Sequence, residues 1–475
     1  MKKINLIYFV VLLFSFGCED WLDINDNPNS PVDVQANLIL PAAQVNSAFV
    51  TANDLNRQTS ALVQHYAGTN NQLLSFDTYN FNGTEADNPW TFGLYAGALL
   101  DYQRIVEISE TNEDNVMAGI AKISQAYLFA ITTDLYDEVP FSDALKGTDV
   151  VAPGFDSQES VYDGIFQLLN DGIANLNSPN PGVNPGTADL IYGGDAASWV
   201  RLANGLKLKY WTQIRKQRSA EATTEINNLI AGGGLMQSNG DNYSLPFGTA
   251  TGSQHPMFDF AFNRRAGDIA VSQRFIDSLN ALSDPRIDFY FLDQGQGNFV
   301  GYDNGGIAAV PAAGVRALLG TFPVGPNGEA PQRMYTYYSQ QFYLAEADLT
   351  LGITGDARDY YESALTASLD HVGVGEADAA TYLADRLAAF DAAADDDARL
   401  AIVMRDKWVA SFGNGVEAYN DWRRTGFPQL APATTALTPD GTIPRRLLYS
   451  SNELSSNPNL ENQALLIDRV WWDVQ

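Results

Sequence analysis

Apolar residues recur at helical spacing along most of this chain. One example is the segment 156–176, whose apolar or small stripe consists of Val161, Ile165, Leu168, Gly172 and Leu176. Because an α-helix repeats every 3.6 residues, this stripe lies on one face and predicts a helix packed against a core. Asp156 and Glu159 are spaced to form a capping box at its start.

Similar patterns predict further helices, and together they make the expected fold mostly all-α. The predicted segments are 35–66, 90–110, 114–135, 195–218, 268–281, 333–351, 356–371, 378–391 and 396–412. Two of them form a pair around a turn marked by Gly352 and Gly355. Two helices cross closely where side chains are small, and the spacing of Ala345, Ala357, Tyr361 and Ala364 resembles a tetratricopeptide repeat. An ordinary antiparallel helical hairpin is the alternative.

Two regions lack this periodicity. Residues 232–332 are rich in Gly, Pro, Asn and aromatics, and so is the shorter segment 75–90. Long irregular regions inside a compact domain are uncommon and often carry function. These two irregular regions are therefore candidates for a functional part of the domain.

The N-terminus holds the single cysteine of the 475 residues. Residues 1–17 contain Lys2 and Lys3, then a short apolar run ending in Gly17, as secretory signals do. The run is too short to span a bilayer. Gly17 before Cys18 resembles a bacterial lipobox, in which the cysteine is acylated and becomes the mature N-terminus. A plain signal peptide with an incidental cysteine is the alternative.

Residues 18–34 are polar and rich in Asn and Pro, so we expect a lipidated tether, followed by one domain over 35–475. Acylation explains the lone thiol, since one cysteine cannot form an internal disulfide. The acids after Cys18, "ED", resemble the export tag of surface lipoproteins. These features predict a lipid-anchored protein of the outer membrane that faces the cell exterior.

The charge composition of the chain limits the classes of molecule that it can bind. Lys and Arg number 28 against 57 Asp and Glu, a net charge of −29. We expect no nucleic-acid partner, because a polyanion needs basic side chains to displace its counterions. Neutral and cationic ligands remain open.

The sequence contains none of the usual catalytic signatures, such as GxxxxGK[ST], HExxH, GxSxG or CxxC. His65, His255 and His371 are scattered, which predicts no zinc site and no cofactor. The alternate acids in "DINDN" (23–27) lack an EF-hand loop and its closing Glu, so no calcium site is predicted. Carboxylates are too plentiful for any one pair to indicate a glycosidase. We predict a binding protein and not an enzyme.

The candidate binding residues are aromatic. Within fifteen residues the chain places the rings of Phe76, Tyr79, Phe81 and Trp90 among several asparagines, including Asn82. An exposed ring offers a flat apolar face to a sugar, and amide groups can hydrogen-bond its hydroxyls. Alternatively, these rings cap the helical core beneath a loop.

Arginines give two further candidates. Arg264, in "FNRRAGD", could contact a ligand or form an ion pair that anchors its loop. The cluster "EAYNDWRRTGFP" (417–428) is interpreted as architecture, since Gly426 suits a helix C-terminus and Pro428 a helix stop.

Several segments, in order along nearly the whole mature chain, resemble the SusD/RagB family of outer-membrane lipoproteins, in its second SusD-like subgroup. They include "CEDWLDIN", "WTFGLYAGALLDYQRIV", "TDLYDEVPFSDAL", "SWVRLANGLKLKYWTQIRK", "MRDKWVASFGNGVEAYNDWRRTGFP" and "RRLLYSSNE". The resemblance implies a mostly helical fold in which tetratricopeptide-like helix pairs frame an irregular, loop-rich ligand-binding region. It also implies a protein that captures nutrients, typically glycans, and passes them to a SusC-like TonB-dependent transporter. It also implies ligand contacts at and before the helix that opens with Trp90, and acylation of Cys18.

Three alternatives stay open from the sequence alone. The ligand could be a peptide, which would use the same rings and the acidic surface. The protein could be a helical scaffold that binds other proteins and no small ligand. A helical glycoside hydrolase is the least favoured.

Overall fold

The computed structural model describes residues 34–474, and they are mostly helical. The α-helices, in chain order, are α1 Ala36–Ala52, α2 Asp54–Leu62, α3 Asn71–Asp77, α4 Thr84–Asp87, α5 Leu100–Asn112, α6 Asn115–Tyr136, α7 Gln158–Leu176, α8 Ala196–Gln213, α9 Ser219–Gly232, α10 Pro256–Phe258, α11 Gln273–Ala281, α12 Ile287–Tyr290, α13 Thr321–Val324, α14 Tyr337–Leu351, α15 Ala357–Val372, α16 Glu376–Asp391, α17 Asp396–Ala410, α18 Gly415–Thr425 and α19 Ser451–Ser456. Two π-helical segments, Asn88–Leu99 and Asp259–Arg264, precede α5 and follow α10. The prediction of a mostly α-helical fold is confirmed.

Short strands fasten the loops of the irregular region to the helices. They are β1 Tyr66–Gly68, β2 Tyr243–Leu245, β3 Ile269–Val271, β4 Phe291–Leu292, β5 Leu318–Leu319 and β6 Gln332–Tyr335. They form three antiparallel pairs, β1 with β3, β2 with β6 and β4 with β5. The pairing of β1 with β3 holds the loops of the 260s against the end of α2.

The core runs along the centre of the helical frame. Helix α6 is long and apolar enough to cross a membrane, but 94% of its apolar window is buried inside the protein. It packs against α7 along a close seam, where Gly119 and Gly172 face each other. A Cβ at Gly172 would lie 2.8 Å from Ile123 Cγ1, so the stripe predicted from sequence needs glycine at this crossing.

The predicted helix pair is present as α14 and α15, and its small residues Ala345 and Ala364 are fully buried between the helices. With α16 and α17 it encloses a second, smaller core that includes Phe342 and Tyr361. This arrangement is the tetratricopeptide-like packing that the spacing indicated.

Three local predictions are corrected, and one helix was not predicted. Ser157, and not Asp156, caps α7: its hydroxyl accepts from the Ser160 amide at 3.3 Å. The Asp156 carboxylate accepts instead from the backbone amides of residues 141 and 142. Strands β3 and β6 occupy the starts of two segments predicted as helix, because each pairs with a distant strand. Helix α9 went unpredicted, since it buries only Ala222 and Ile226 and so shows a weak stripe.

The segment 417–428 is structural, as interpreted from the sequence. Gly426 ends α18 in the left-handed conformation, with φ of 79°. Arg423 and Arg424 are buried, and Arg424 pairs with Glu346 of α14 and with Asp421. The arginines therefore join α18 to its neighbours.

Candidate ligand-binding surface

Three of the predicted ligand-binding rings are buried. Phe76 is 0% exposed, Tyr79 3% and Trp90 2%, so none presents a ring face to solvent. The expectation that these rings are exposed is wrong. Each belongs to the main hydrophobic core, because burying a large ring is more favourable than leaving it in water.

Trp90 shows how such a ring is held. It packs edge-on against Tyr136 and Tyr449, with ring centroids 5.0 and 6.0 Å apart. Its indole N–H donates to the Glu453 carboxylate at 3.3 Å. The ring thus fastens the π-helix 88–99 to the C-terminal part of the chain.

Asp77 fixes the loop that follows α3. Its carboxylate is fully buried and accepts hydrogen bonds from the Asn304 side chain and from the Gly305 amide, the latter at 2.7 Å. Burial raises the pKa of Asp77 to about 7, although these hydrogen bonds oppose the shift. The loop after α3 is therefore joined to the loop 303–307.

A third loop, 433–437, completes this junction. The Ala433 amide donates to the Tyr79 hydroxyl at 2.9 Å, and the Leu437 amide donates to the carbonyl of Thr78 at 2.9 Å. Thr435 donates its hydroxyl to the Gly305 carbonyl at 2.9 Å. Residues 78–82, 303–307 and 433–437 thus form one continuous surface, here called the three-loop surface.

The outer side of the three-loop surface mixes apolar and amide groups. Asn80 and Asn82 are exposed, and so are Ile307 and Leu437. Phe81 is half-buried and stacks on Phe76, with centroids 5.0 Å apart. Apolar faces beside a few fixed polar groups are what a neutral sugar ligand requires. Of the predicted residues, Phe81 and Asn82 are the two that reach this surface.

Asn82 also has a structural task. Its side-chain oxygen accepts a hydrogen bond from the Thr84 backbone amide at 3.0 Å. Its backbone amide donates to the Glu85 carboxylate at 2.8 Å. The exposed side-chain amide of Asn82 is therefore held in one orientation before α4. A fixed amide favours ligand binding because it loses less conformational entropy when the ligand binds.

Arg264 lies on a different loop. It forms an exposed ion pair with Asp259 at the π-helical segment 259–264. The structure does not bring it together with Phe81 and Asn82, and the loop-anchoring ion pair is the role it shows.

The chain also has an acidic groove. A cavity of about 850 Å³ opens between α14, α15 and the turn 237–240, and it is lined by Tyr337, Asp359, Glu362 and Asp370 among others. It contains none of the residues predicted from sequence. Its carboxylates suit a cationic group better than a neutral sugar.

The three histidines are buried or half-buried. His65 and His255 are fully buried, and burial lowers the pKa of each to about 3. Burial also lowers the pKa of His371, to about 4. Across residues 34–474, no cluster of three or more His, Cys, Asp or Glu side chains is arranged to hold a metal ion.

Sequence comparison identifies the family. Residues 28–450 match a SusD-like family that is described as "Starch-binding associating with outer membrane". The chain belongs to this family. SusD-like proteins are binding proteins of the outer membrane and not enzymes, which confirms that part of the prediction. No curated protein is similar in sequence to the chain.

Solved structures show the same fold. A SusD homolog from Bacteroides uniformis superposes with a TM-score of 0.79 at 22% identity, covering 93% of this chain and 100% of that one. A SusD/RagB family protein from Bacteroides thetaiotaomicron gives 0.77 at 23% identity, over 93% and 99% of the two chains. A chitin-binding SusD homolog from Flavobacterium johnsoniae gives 0.76 at 22%, over 92% and 98%.

The turn that follows α6 places a side chain in a backbone conformation with positive φ. Asp137 occupies the turn of "YDEVP" with φ of 71°, a conformation that favours glycine. Its carboxylate accepts from the Trp471 amide at 3.0 Å and lies near Arg446. These contacts stabilise the turn despite the side chain. Cys18 and the tether predicted at 18–34 lie outside the described residues, apart from Val34.

Proposed function

We propose that this protein is a cell-surface lipoprotein that captures oligo- or polysaccharides and delivers them to a SusC-like TonB-dependent transporter. The observation that carries the proposal is the family match over residues 28–450, whose description names starch binding at the outer membrane. Acylation of Cys18 anchors the protein to the outer leaflet, and the folded domain faces outward.

The three-loop surface binds the glycan. Phe81 supplies a ring edge over the sugar, and the amides of Asn80 and Asn82 hydrogen-bond its hydroxyls. The junction beneath is supported by buried hydrogen bonds that the Asp77 carboxylate accepts from the Gly305 amide and the Tyr79 hydroxyl accepts from the Ala433 amide. A preformed surface of this kind loses little entropy when it binds, and it needs no catalytic group.

Binding assays with plant, algal and microbial polysaccharides test whether the ligand is a glycan. Purified protein is run through native gels that contain starch, chitin oligomers or other neutral glycans, and bound oligosaccharides are titrated by calorimetry. We expect Phe81→Ala combined with Asn82→Ala to weaken binding about tenfold or more, because one apolar ring contact and one hydrogen bond are lost. Ser219→Ala, on the remote helix α9, is the matched exposed control. Wild-type affinity in the double variant would reject this site.

The acidic groove favours a second candidate ligand, a cationic peptide. Asp359, Glu362 and Asp370 line it, and they would attract Lys or Arg side chains. Titration with a Lys-rich peptide distinguishes the two ligands. Binding that disappears with Asp359→Asn and Asp370→Asn, without affinity for any glycan, would replace the glycan by a peptide.

Anchoring and partnership are tested separately. Labelled palmitate should enter the wild-type protein and not Cys18→Ser, and the variant should leave the membrane fraction. The wild-type protein, tagged and extracted in mild detergent, should co-purify with a TonB-dependent barrel. Co-purification without any glycan or peptide affinity would make the protein a scaffold.

A further inference from the structure

Buried charged side chains form one row of ion pairs through the helical frame. Cations and carboxylates alternate along this row, and each member pairs with the next. The members, in spatial order, are Lys209, Glu417, Lys407, Asp421, Arg424, Glu346 and Arg215. Each of these side chains is at most 5% exposed. We call this set the buried ion row.

The buried ion row begins and ends with a cation, so its charges do not balance. Four cations against three carboxylates leave a formal charge of +1. Within residues 34–474, no further carboxylate pairs with any of the four cations. A buried charge without a counter-ion is strongly destabilising. The row therefore has room for one more anion.

Arg215 is the end of the row that such an anion can reach. Its Nη1 donates to the carbonyl of Thr212 at 3.0 Å and pairs with Glu346 at 2.8 Å. Its Nε and Nη2 donate to no atom of the described chain, and neither is sealed off from solvent. The side chain is 4% exposed and lines a cavity of about 510 Å³. The two free donors therefore face this cavity, here called the basic cavity.

The charges around the basic cavity favour an anion. Three cations line it, Arg215, Lys216 and Arg424. The one carboxylate among its described lining residues is Asp397, which is exposed, so solvent and salt screen it. Burial lowers the pKa of Arg215 to about 10, and burial and the charge of Arg215 both lower the pKa of Lys216. In a chain with a net charge of −29, this cavity is a local concentration of positive charge.

We propose that the basic cavity binds the carboxylate of an acidic sugar, a uronic acid residue. A carboxylate carries the single negative charge that the buried ion row lacks, whereas a phosphate group carries nearly two. The planar guanidinium of Arg215 offers Nε and Nη2 side by side, a geometry that matches the two oxygens of a carboxylate. The inference does not rest on the proposed function, because no residue of the three-loop surface lines this cavity.

The remaining wall of the basic cavity suits a sugar ring. Phe427 is half-buried, and its ring lies with Leu351 and Leu400 in the apolar part of the lining. Such a face packs against the C–H groups of a sugar. Thr350 and Thr425 also line the cavity, and each donates its hydroxyl proton to a carbonyl one turn earlier in its helix. Their oxygens can therefore accept hydrogen bonds from sugar hydroxyls. A volume of this size is typical of small-ligand sites.

Calorimetric titration of the purified full chain tests the ligand. The probes are galacturonic, glucuronic and mannuronic acids with their short oligomers, each beside its neutral parent sugar. We expect at least one acid to bind about tenfold or more tightly than its neutral parent, and its affinity to fall as sodium chloride is raised. If no acid bound more tightly than its parent, the proposal would be wrong. Tighter binding of galactose 6-sulfate, or of a peptide through its terminal carboxylate, would equally overturn it.

Two variants test whether the basic cavity is the place of binding. Lys216→Glu puts a negative charge at its exposed edge and should weaken binding of the acid about tenfold or more. Lys146→Glu, at an equally exposed lysine between α6 and α7, is the matched control and should bind like the wild-type protein. Arg215→Gln leaves three cations and three carboxylates in the row. It should therefore abolish binding of the acid while the midpoint of urea unfolding stays close to that of the wild-type protein.

Arg215→Lys separates charge from geometry. It keeps the positive charge but loses the paired donors, so it should bind the acid more weakly than the wild-type protein and more tightly than Arg215→Gln. Wild-type affinity in Lys216→Glu would move the acid to another site and overturn the proposal. Failure of Arg215→Gln to fold would also overturn it, because Arg215 would then not be the surplus cation of the row.

Discussion

The guanidinium of Arg424 donates two parallel hydrogen bonds to the carboxylate of Glu346, from Nε to Oε1 and from Nη2 to Oε2, each 2.7 Å long. Both side chains are fully buried. Arg215 also reaches Glu346, at 2.8 Å. One carboxylate therefore joins α14 to α18 and to the end of α8.

Removing this carboxylate charge should be costly. In Glu346→Gln, the buried guanidinium of Arg215 loses its counter-ion and Arg424 keeps only Asp421. Leaving a buried charge unpaired typically costs about 3–5 kcal/mol. We expect the free energy of unfolding, measured by urea denaturation, to fall by that amount. Glu362→Gln is the control, because Glu362 pairs with Arg358 at the surface and should cost at most about 1 kcal/mol. If both variants lost the same free energy of unfolding, burial of Glu346 would not explain its contribution to stability.

The Glu346 carboxylate should also make the stability of the fold decrease at acidic pH. Burial alone would raise the pKa of Glu346, but attraction to Arg424 and Arg215 lowers it to about 2. Its contribution to stability is complete above the unfolded pKa, near 4.5, and is lost as pH falls toward 2. We expect the free energy of unfolding to drop between pH 5 and pH 2, with a shallower drop in Glu346→Gln. Identical pH profiles would show that other carboxylates govern acid unfolding.

Asp77 should make the stability depend on pH in the opposite direction, with a loss as pH rises. Because its pKa is raised to about 7, the folded state binds its proton more tightly than the unfolded state does. This contribution is present below pH 4 and is lost as pH rises through 7. We expect amide exchange at Gly305 to accelerate between pH 6 and pH 8, after correction for intrinsic rates. Exchange that stays constant over this range would show that the ionised carboxylate holds the junction equally well.

The fold was largely predictable, because helical spacing is a local property of the sequence. The strands β3 and β6 were not, since each exists through a partner far along the chain. The rings of the 75–90 segment show a further limit. Asparagines around Phe76 and Tyr79 give that segment a polar composition, but composition does not reveal which way a side chain points. The exposure of Phe92 had no distinguishing signal, since its neighbours Trp90 and Leu94 are equally apolar and buried.

Trp90→Ala separates a core role from a binding role. Truncating a buried tryptophan leaves a cavity and typically costs about 3–5 kcal/mol. We expect a large fall in the free energy of unfolding, whereas Phe81→Ala, at the half-buried ring of the three-loop surface, should cost less than half as much. Glycan affinity, measured well below the unfolding temperature, should change more for Phe81→Ala. If Trp90→Ala were as stable as the wild-type protein but no longer bound glycan, Trp90 would be a ligand-binding residue.

The crossing of α6 and α7 offers the last test. At Gly172 an added Cβ would lie 2.8 Å from Ile123 Cγ1 and 3.2 Å from the Gly119 carbonyl oxygen. Gly172→Ala must therefore push the helices apart, and overpacking of this kind typically costs about 1–3 kcal/mol. Gly232→Ala is the matched control: Gly232 ends α9, and a Cβ there meets no atom within 4 Å. That variant should be neutral or stabilised by up to about 1 kcal/mol, since alanine is the better helix former. If urea denaturation gave Gly172→Ala the stability of the control, the helices would not need glycine to approach so closely.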